Sequence, residues 1–357
     1  MTQPLDTVIQ CLEFQAGFCE RSGSPFTALV ARAVAADIER GGAFAELAAP
    51  WAGRDLRALF DDAVALRFVG GLHYLVLAGD APTLAVDYPP MTAEPDRARL
   101  VETVAANGRA HQAMLAEFVT SPPQTNEVNR SVGLSAGFLT IARRTGLPLR
   151  CLEIGASAGL NMNWDRYAYD VGPAGAWGDP ASPVRLGAEW EGPPPPLGLE
   201  AKVIERRACD QNPVPITTPR EALRLKAFVW PDQTVRMERL YAAIEVARQY
   251  PPLVDRADAA DWVRTHVKSQ AGAATVLYHS VVWPYLPAAT QGAVTAALDA
   301  AGESARPGAP LAWLRMEPNP ADPAPSLDLK LTLWPNGEEI LLAHVDPHGA
   351  KVSWLGD

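Results

Sequence analysis

The chain has 357 residues, is 48% hydrophobic and 20% charged, and carries a formal net charge of −10. That length holds one large domain or two ordinary ones, with the composition of a globular enzyme. The acidic balance argues against a nucleic-acid partner, because phosphate binding wants a basic surface.

The opening stretch "MTQPLDTVIQCLEFQ" has no basic region followed by an apolar one, so no signal peptide is expected and a cytoplasmic location is. Apolar runs stay shorter than the ~18 residues of a membrane span, so no membrane partner is expected. Cys11, Cys19, Cys151 and Cys209 form no C-x-x-C pair. They read as free thiols in a reducing compartment, with Cys151 and Cys209 buried in strand-like stretches. No metal site is expected.

The first ~120 residues predict helices. In "RDLRALFDDAVALRFVGGLHYLVLAG", Leu56, Leu59, Phe60, Ala63, Leu66 and Val69 recur at helical spacing. "EPDRARLVETVAANGRAHQAMLAEFV" is a second helical stretch with Pro95 near its start. "SPPQ" interrupts the chain at 121–124, and a further helix is expected from Asn126 to about Arg144. The pattern then alternates. Buried strands are expected at "LRCLEI", "AKVIERRACD", "PPLVDR", "ATVLYHSVVW" and "PLAWLRMEP". Helical stretches lie between most of them: "REALRLKAFVW", "MERLYAAIEVARQY" and "AATQGAVTAALDAAG". This implies an α/β fold with a parallel sheet covered on both faces. Trp334-Pro335-Asn336-Gly337 between two strand-like runs predicts a closing hairpin. Residues 1–122 are therefore assigned to an all-α N-terminal domain, a lid or substrate wall. Residues 123–357 are assigned to the α/β domain, with a Gly/Pro-rich insertion at about 165–198.

The segment "LEIGASAGLNMNWDRY" at 152–167 carries the chemistry. Gly155-Ala156-Ser157-Ala158-Gly159 spells the G-x-S-x-G nucleophile elbow of esterases, and with Glu153 also a glycine-rich cofactor turn. An elbow follows a mid-sheet strand, whereas this motif follows the first strand, and an HGGG-type oxyanion loop is absent upstream. Asp322, Asp328, His344 and His348 leave the chain order of a triad open. As a cradle, the turn places an acid, Glu153, at the strand end and a helix start with unpaired N–H groups beyond it. Gly155 and Gly159 permit unusual backbone angles. Ser157 stands where a dinucleotide fingerprint has its middle glycine, which disfavours a bridging pyrophosphate and hence a nicotinamide cofactor.

The second strand ends "ACDQNP". Asp210 is the candidate for two ribose hydroxyls, or a turn cap. After the third strand, Asp258 and the backbone of Ala259 are candidates for an adenine, or Asp258 caps the helix carrying Trp262. The fourth strand ends "YHSVVWPYLP", which points His279 and Ser280 toward a reacting centre. His279 is the candidate general base. Trp283 and Tyr285 wall a pocket, where an aromatic face stabilises a sulfonium, or pack in the core. In "TNEVNRS", Asn126, Glu127 and Arg130 share a helix face as acceptor-side candidates, with Arg130 a clamp for a carboxylate or phosphate. Alternatively Thr125 or Asn126 caps the helix and Glu127 and Arg130 pair in solvent.

A glycine-rich first strand, acids after the second and third, a polar cluster after the fourth and a terminal hairpin resemble the class I S-adenosylmethionine-dependent methyltransferases. That resemblance covers roughly residues 126–357. It implies a Rossmann-like seven-stranded sheet in order 3-2-1-4-5-7-6 with the last strand antiparallel. It also implies that Glu153, Gly155, Ala156, Ser157 and Gly159 cradle the methionine part, Asp210 the ribose, and Asp258 with Ala259 the adenine. The chain lacks an Asn-Pro-Pro-aromatic motif after the fourth strand, which argues against amino methylation of nucleobases. "TNEVNRS", "EIGASAGLN", "DRYAYD", "CDQNP", "VWPDQ" and "HSVVWPYL" are similar to an uncharacterised bacterial family of unknown function, over most of the chain. The leading expectation is a methyltransferase acting on a small molecule. The alternatives are a non-catalytic or regulatory ligand-binding protein of the same fold and a serine hydrolase using Ser157. Oligomeric state is not legible in the sequence.

Overall fold

The computed structural model describes residues 4–92, 94–319 and 326–356. Two compact units emerge: Met1–Thr125 with Thr218–Glu238, and Asn126–Thr217 with Arg239–Asp357. Among the described residues no helix is long and apolar enough to cross a membrane.

The first unit is helical: α1 (Asp6–Arg21), α2 (Pro25–Glu39), α3 (Ala43–Ala48), α4 (Leu56–Asp61), α5 (Val64–Ala78), α6 (Pro82–Ala85), α7 (Arg97–Ala110) and α8 (Gln112–Phe118). α1 buries Val8, Leu12, Ala16 and Cys19, one face at helical spacing. They join Ala28 and Val34 of α2 and Leu72 and Leu75 of α5 in one core. Each of the two long helical stretches is broken into shorter helices. The first breaks at Ala63, which takes φ 50°, beside an Asp62 carboxylate that accepts from Trp51, Arg54 and Arg67. The second starts where Asp96 accepts from the Ala98 and Arg99 N–H groups, and breaks at His111.

The chain forms α9 (Ser131–Thr145) in the second unit, then α10 (Pro219–Ala227), which belongs with the first. Asp232 holds this segment there. Rather than capping its own helix, it accepts from the Phe26 N–H at 2.9 Å and the Thr27 hydroxyl at 2.7 Å, at the start of α2. Phe228 packs on Gly70, where a Cβ would come within 2.8 Å of its ring.

Among the described residues the second unit carries twelve strands: β1 (Leu149–Ile154), β2 (Ala168–Asp170), β3 (Ala176–Gly178), β4 (Arg185–Gly187), β5 (Glu189–Glu191), β6 (Val203–Asp210), β7 (Val254–Arg256), β8 (Ala274–Ser280), β9 (Leu311–Pro318), β10 (Leu327–Trp334), β11 (Glu338–Val345) and β12 (Lys351–Trp354). Its remaining helices are α11 (Thr234–Gln249, from Arg239 onward), α12 (Ala259–His266) and α13 (Ala288–Gly302). The large sheet is mostly parallel and runs β5-β12-β11-β10-β9-β8-β1-β6-β7. The five expected strands, β1, β6, β7, β8 and β9, are all parallel in it. Leu277, Leu311 and Ile154 meet Trp262 and Val263 of α12 and Val294 and Leu298 of α13 on one face. α9 lies on the other, its approach permitted by Gly133 against Met316 and Val345 and by Gly137 against Leu314.

The seven-strand order 3-2-1-4-5-7-6 does not hold beyond the fifth parallel strand. β10 pairs antiparallel with β9, β11 with β10 and β12 with β11, in chain order. The reason is connection length. The link from Pro318 to Leu327 is too short for a parallel crossover, which takes a dozen or more residues, so the next strand folds straight back. β12 and β5 extend the sheet to nine strands. The insertion contributes β5 and a separate three-stranded sheet, β3-β2-β4, in which Trp177 stacks on Tyr169 at 4.4 Å.

Candidate functional site

The strand order reverses direction between β1 and β8, and in such sheets the crevice outside the carboxyl ends at this point receives ligands. Two strained backbones meet there. Ser157, after β1, has φ 54°, and Val281, after β8, has φ 53°. A non-glycine residue rarely adopts this region and a β-branched one is an outlier. Such strain costs about 1–3 kcal/mol and clusters at functional sites. The two turns touch: a Cβ on Gly155, whose φ is 68°, would lie 2.3 Å from Val282 Cγ2. Gly159 likewise has no room for a Cβ, with Pro252 at 2.7 Å.

The chain after the turn is not the expected α-helix. Leu160–Arg166 is a 3-10 segment with non-helical angles at Asn163. Its first N–H, that of Leu160, donates to Asn126 Oδ1 at 2.9 Å. Three amides of the turn are engaged as well: Ala156 N–H with Cys209 O, Ser157 N–H with Asp210 Oδ2 and Gly159 N–H with Ala156 O. The turn thus offers none of these four amides to a ligand. The Ser157 hydroxyl is buried and without a hydrogen-bond partner.

Glu153 lies beneath the turn, 2% exposed, accepting from the Tyr278 hydroxyl at 3.0 Å. Burial pushes its carboxyl up to about 8, so it is largely neutral at pH 7 and supports the turn from below. Asp210 closes β6. Its Oδ2 accepts from Ser157 N–H at 2.8 Å and its Oδ1 from Asn212 N–H at 2.7 Å. Each carboxylate oxygen accepts two hydrogen bonds, so both retain a position for a ligand hydroxyl. Asp258 caps α12, accepting from the Ala260 and Asp261 N–H groups. Both bonds land on Oδ1, which leaves Oδ2 outside the cap. Ala259 is buried behind it.

At the end of β8, His279 is fully buried. Its Nε2 accepts from the Trp313 indole N–H at 3.0 Å, and its Nδ1 lies 2.6 Å from Glu317 Oε1. An indole N–H only donates, so Nε2 is the unprotonated nitrogen and Nδ1–H donates to Glu317. The lone pair a general base needs is occupied, which corrects the reading of His279 as the base: it is a positioning residue for Glu317. Trp283 stacks on the imidazole at 5.3 Å and 13°. Ser280 ends β8 opposite Met316. Tyr285 is 74% exposed, so it does not pack in the core.

"TNEVNRS" is also placed differently from the expectation. α9 starts only at Ser131, and a 3-10 turn, Val128–Arg130, precedes it, so Asn126, Glu127 and Arg130 do not share a helix face. Asn126 caps Leu160. Glu127 is buried and accepts from Asn129 N–H at 3.2 Å, and Arg130 Nε donates to Pro347 O at 2.9 Å. They brace the glycine turn and the loop before β12.

Glu317 and Trp313 were missed by sequence reasoning. The available signal was the acid in "RMEP" at the carboxyl end of a strand. For a hydrolase, the Ser157 hydroxyl has no base in hydrogen-bond contact, and His344 is engaged with Asp328 at 2.9 Å. Asp322 lies outside the described residues. Among the described residues no three His, Cys, Asp or Glu side chains are grouped to hold a metal ion. The cysteines are free and buried.

A family model described as "Uncharacterized protein conserved in bacteria (DUF2332)" matches residues 10–354. The chain belongs to that family. No curated protein and no solved structure matches it. The match takes in both the helical unit and the turns after β1 and β8, so the site described here lies wholly within the family's extent.

Proposed function

We propose that this member of the family is an S-adenosylmethionine-dependent methyltransferase for a small molecule, with the cofactor at the carboxyl edge of β6, β1 and β8. The carrying observation is the parallel order β7-β6-β1-β8-β9 with a glycine turn at its switch point and an acid after each of β6 and β7. The nucleoside end fits the residues present. Asp210 keeps one acceptor position on each oxygen for the two ribose hydroxyls, and Asp258 keeps Oδ2 for an exocyclic amine. At the amino-acid end the four engaged turn amides do not serve, and the Ser157 hydroxyl is the group that would replace them. When bound, the cofactor supplies an electrophilic methyl group. The chain's own residues orient the nucleoside and exclude water around it, which supplies much of the rate in such transfers.

Calorimetric titration with S-adenosylhomocysteine, with NADH as control, tests the reading. Micromolar binding of the former alone is expected. Asp258→Ser keeps a capping oxygen for α12 but loses Oδ2, so affinity should fall about tenfold without loss of fold. Absence of binding by calorimetry and by a second method refutes the proposal. One observation favours a serine hydrolase: the left-handed backbone at Ser157, as in a nucleophile elbow. Labelling of Ser157 by a fluorophosphonate probe would decide for that reading.

A further inference from the structure

We propose that the methyl acceptor is an amine, bound in its ammonium form by Glu317, whose Oε2 then takes one proton and frees the nitrogen lone pair for the methyl group, the methyl–sulfur bond breaking to leave a neutral thioether; this rests on the methyltransferase reading above. Glu317 is the penultimate residue of β9, bonded to the turn after β8 through Val282 N–H, and its side chain is 12% exposed. Its two oxygens differ completely. Oε1 accepts from His279 Nδ1–H at 2.6 Å and from Val282 N–H at 3.1 Å. Oε2 is buried and accepts nothing. A buried polar atom without a partner calls for an explanation, and a missing ligand is one of the few available.

The charge is uncompensated as well. The imidazole is neutral, since the Trp313 indole occupies Nε2. The cations nearby on the sheet are engaged elsewhere. Arg315, two residues back on the same face, binds Glu339 and Thr332 and lies over the Trp313 ring. Lys330 is 3.4 Å from Asp328, which sits directly across the ladder from Glu317 and takes that charge. A carboxylate taken out of water without a cation is costly. The complement must therefore carry positive charge and a hydrogen-bond donor. The cofactor's sulfonium has the charge but no donor, and its α-ammonium, which has both, belongs to the amino-acid end assigned above to the Ser157 turn. A protonated amine has both. Trp283, stacked on His279, is an aromatic surface for its body.

The test is calorimetric titration of the protein saturated with S-adenosylhomocysteine. The probes are benzylamine, n-butylamine and ethanolamine, each against its alcohol: benzyl alcohol, n-butanol and ethylene glycol. Binding of at least one amine, without binding of its alcohol, is expected. Glu317→Gln should weaken that binding at least tenfold, while Glu317→Asp retains part of it. Glutamine still accepts from His279 and Val282, so a low-field Nδ1–H proton signal in the variant confirms that the network stands. Alcohols binding as tightly as amines, amine binding untouched by Glu317→Gln, or no binding by any probe to the saturated protein would each overturn the inference and leave the cofactor reading intact. Failure of S-adenosylhomocysteine itself to bind would overturn both.

Discussion

Asp62 and Asp87 in the helical unit are each held by guanidinium groups: Arg54 and Arg67 on the first, Arg99 on the second. Glu153 and Glu317 in the sheet unit meet only neutral donors, the Tyr278 hydroxyl for one and the His279 and Val282 N–H groups for the other. Burying a carboxylate is tolerable when an opposite charge stands beside it or when it takes a proton. The helical acids follow the first route with the chain's own arginines, and nothing remains for a ligand to do. Glu153 follows the second route. Glu317 has no guanidinium beside it and keeps Oε2 without a donor, which separates an acid that holds structure from one proposed to take a partner.

Breaking the helical arrangement should have the largest effect. Arg67→Met takes one of its donors from the Asp62 carboxylate and removes the guanidinium bound to the Val119 carbonyl. Loss of a buried partner typically costs about 3–5 kcal/mol, and the lower end is expected here because Arg54 remains. Urea unfolding measures it, and an unchanged midpoint would make the network ornamental. The sheet unit responds to pH instead. Glu153 is raised from 4.5 to about 8 by burial, so the folded state keeps a proton that the unfolded chain releases. Its contribution is fully present below pH 4.5 and is lost as pH rises toward 8. Glu153→Gln removes that loss. The variant should match the wild type near pH 4.5 and exceed it by on the order of a few kcal/mol at pH 8. A constant offset across the range would place the pH sensitivity elsewhere.

The two turns at the crevice sharpen the comparison further. Gly155→Ala puts a Cβ into Val282 at a left-handed backbone position, which should cost about 2 kcal/mol. Val282→Ala in the same chain should recover part of it, and a double-mutant cycle reads the coupling. The smallest effect is at Asp258. Alanine there removes the α12 cap and should cost about 1 kcal/mol, whereas serine should cost a few tenths.

The parallel strands were legible because each is a buried apolar run between polar helices. β5 and β12 were not, since three or four residues carry no usable period. The helix expected after the glycine turn fails for a reason visible only in three dimensions. Asn126 takes the Leu160 N–H, Asn161 bonds to Glu127 O and Asn163 to Tyr250 O. Asparagines that find such partners compete with regular helix. Asp210 and Asp258 could be placed at the edge from the strand pattern alone. The role of His279 could not, because the groups that set its tautomer, Trp313 and Glu317, lie 34 and 38 residues away.

The pairing of β5 with β12 also governs how the sheet is made. Glu191 and Ser353, which join their side chains, are 162 residues apart. At ribosomal speeds of about 5–20 residues per second, β5 leaves the ribosome roughly 10–30 s before its partner strand exists. For that interval it is an unpaired edge. Its sequence, Glu189-Trp190-Glu191, puts a negative charge on either side of a single apolar residue, and charge is what keeps an open edge from capturing a second chain. When Lys351 arrives, it bridges both glutamates. The same two charges that guard the nascent strand against aggregation then become the clasp that closes the finished sheet.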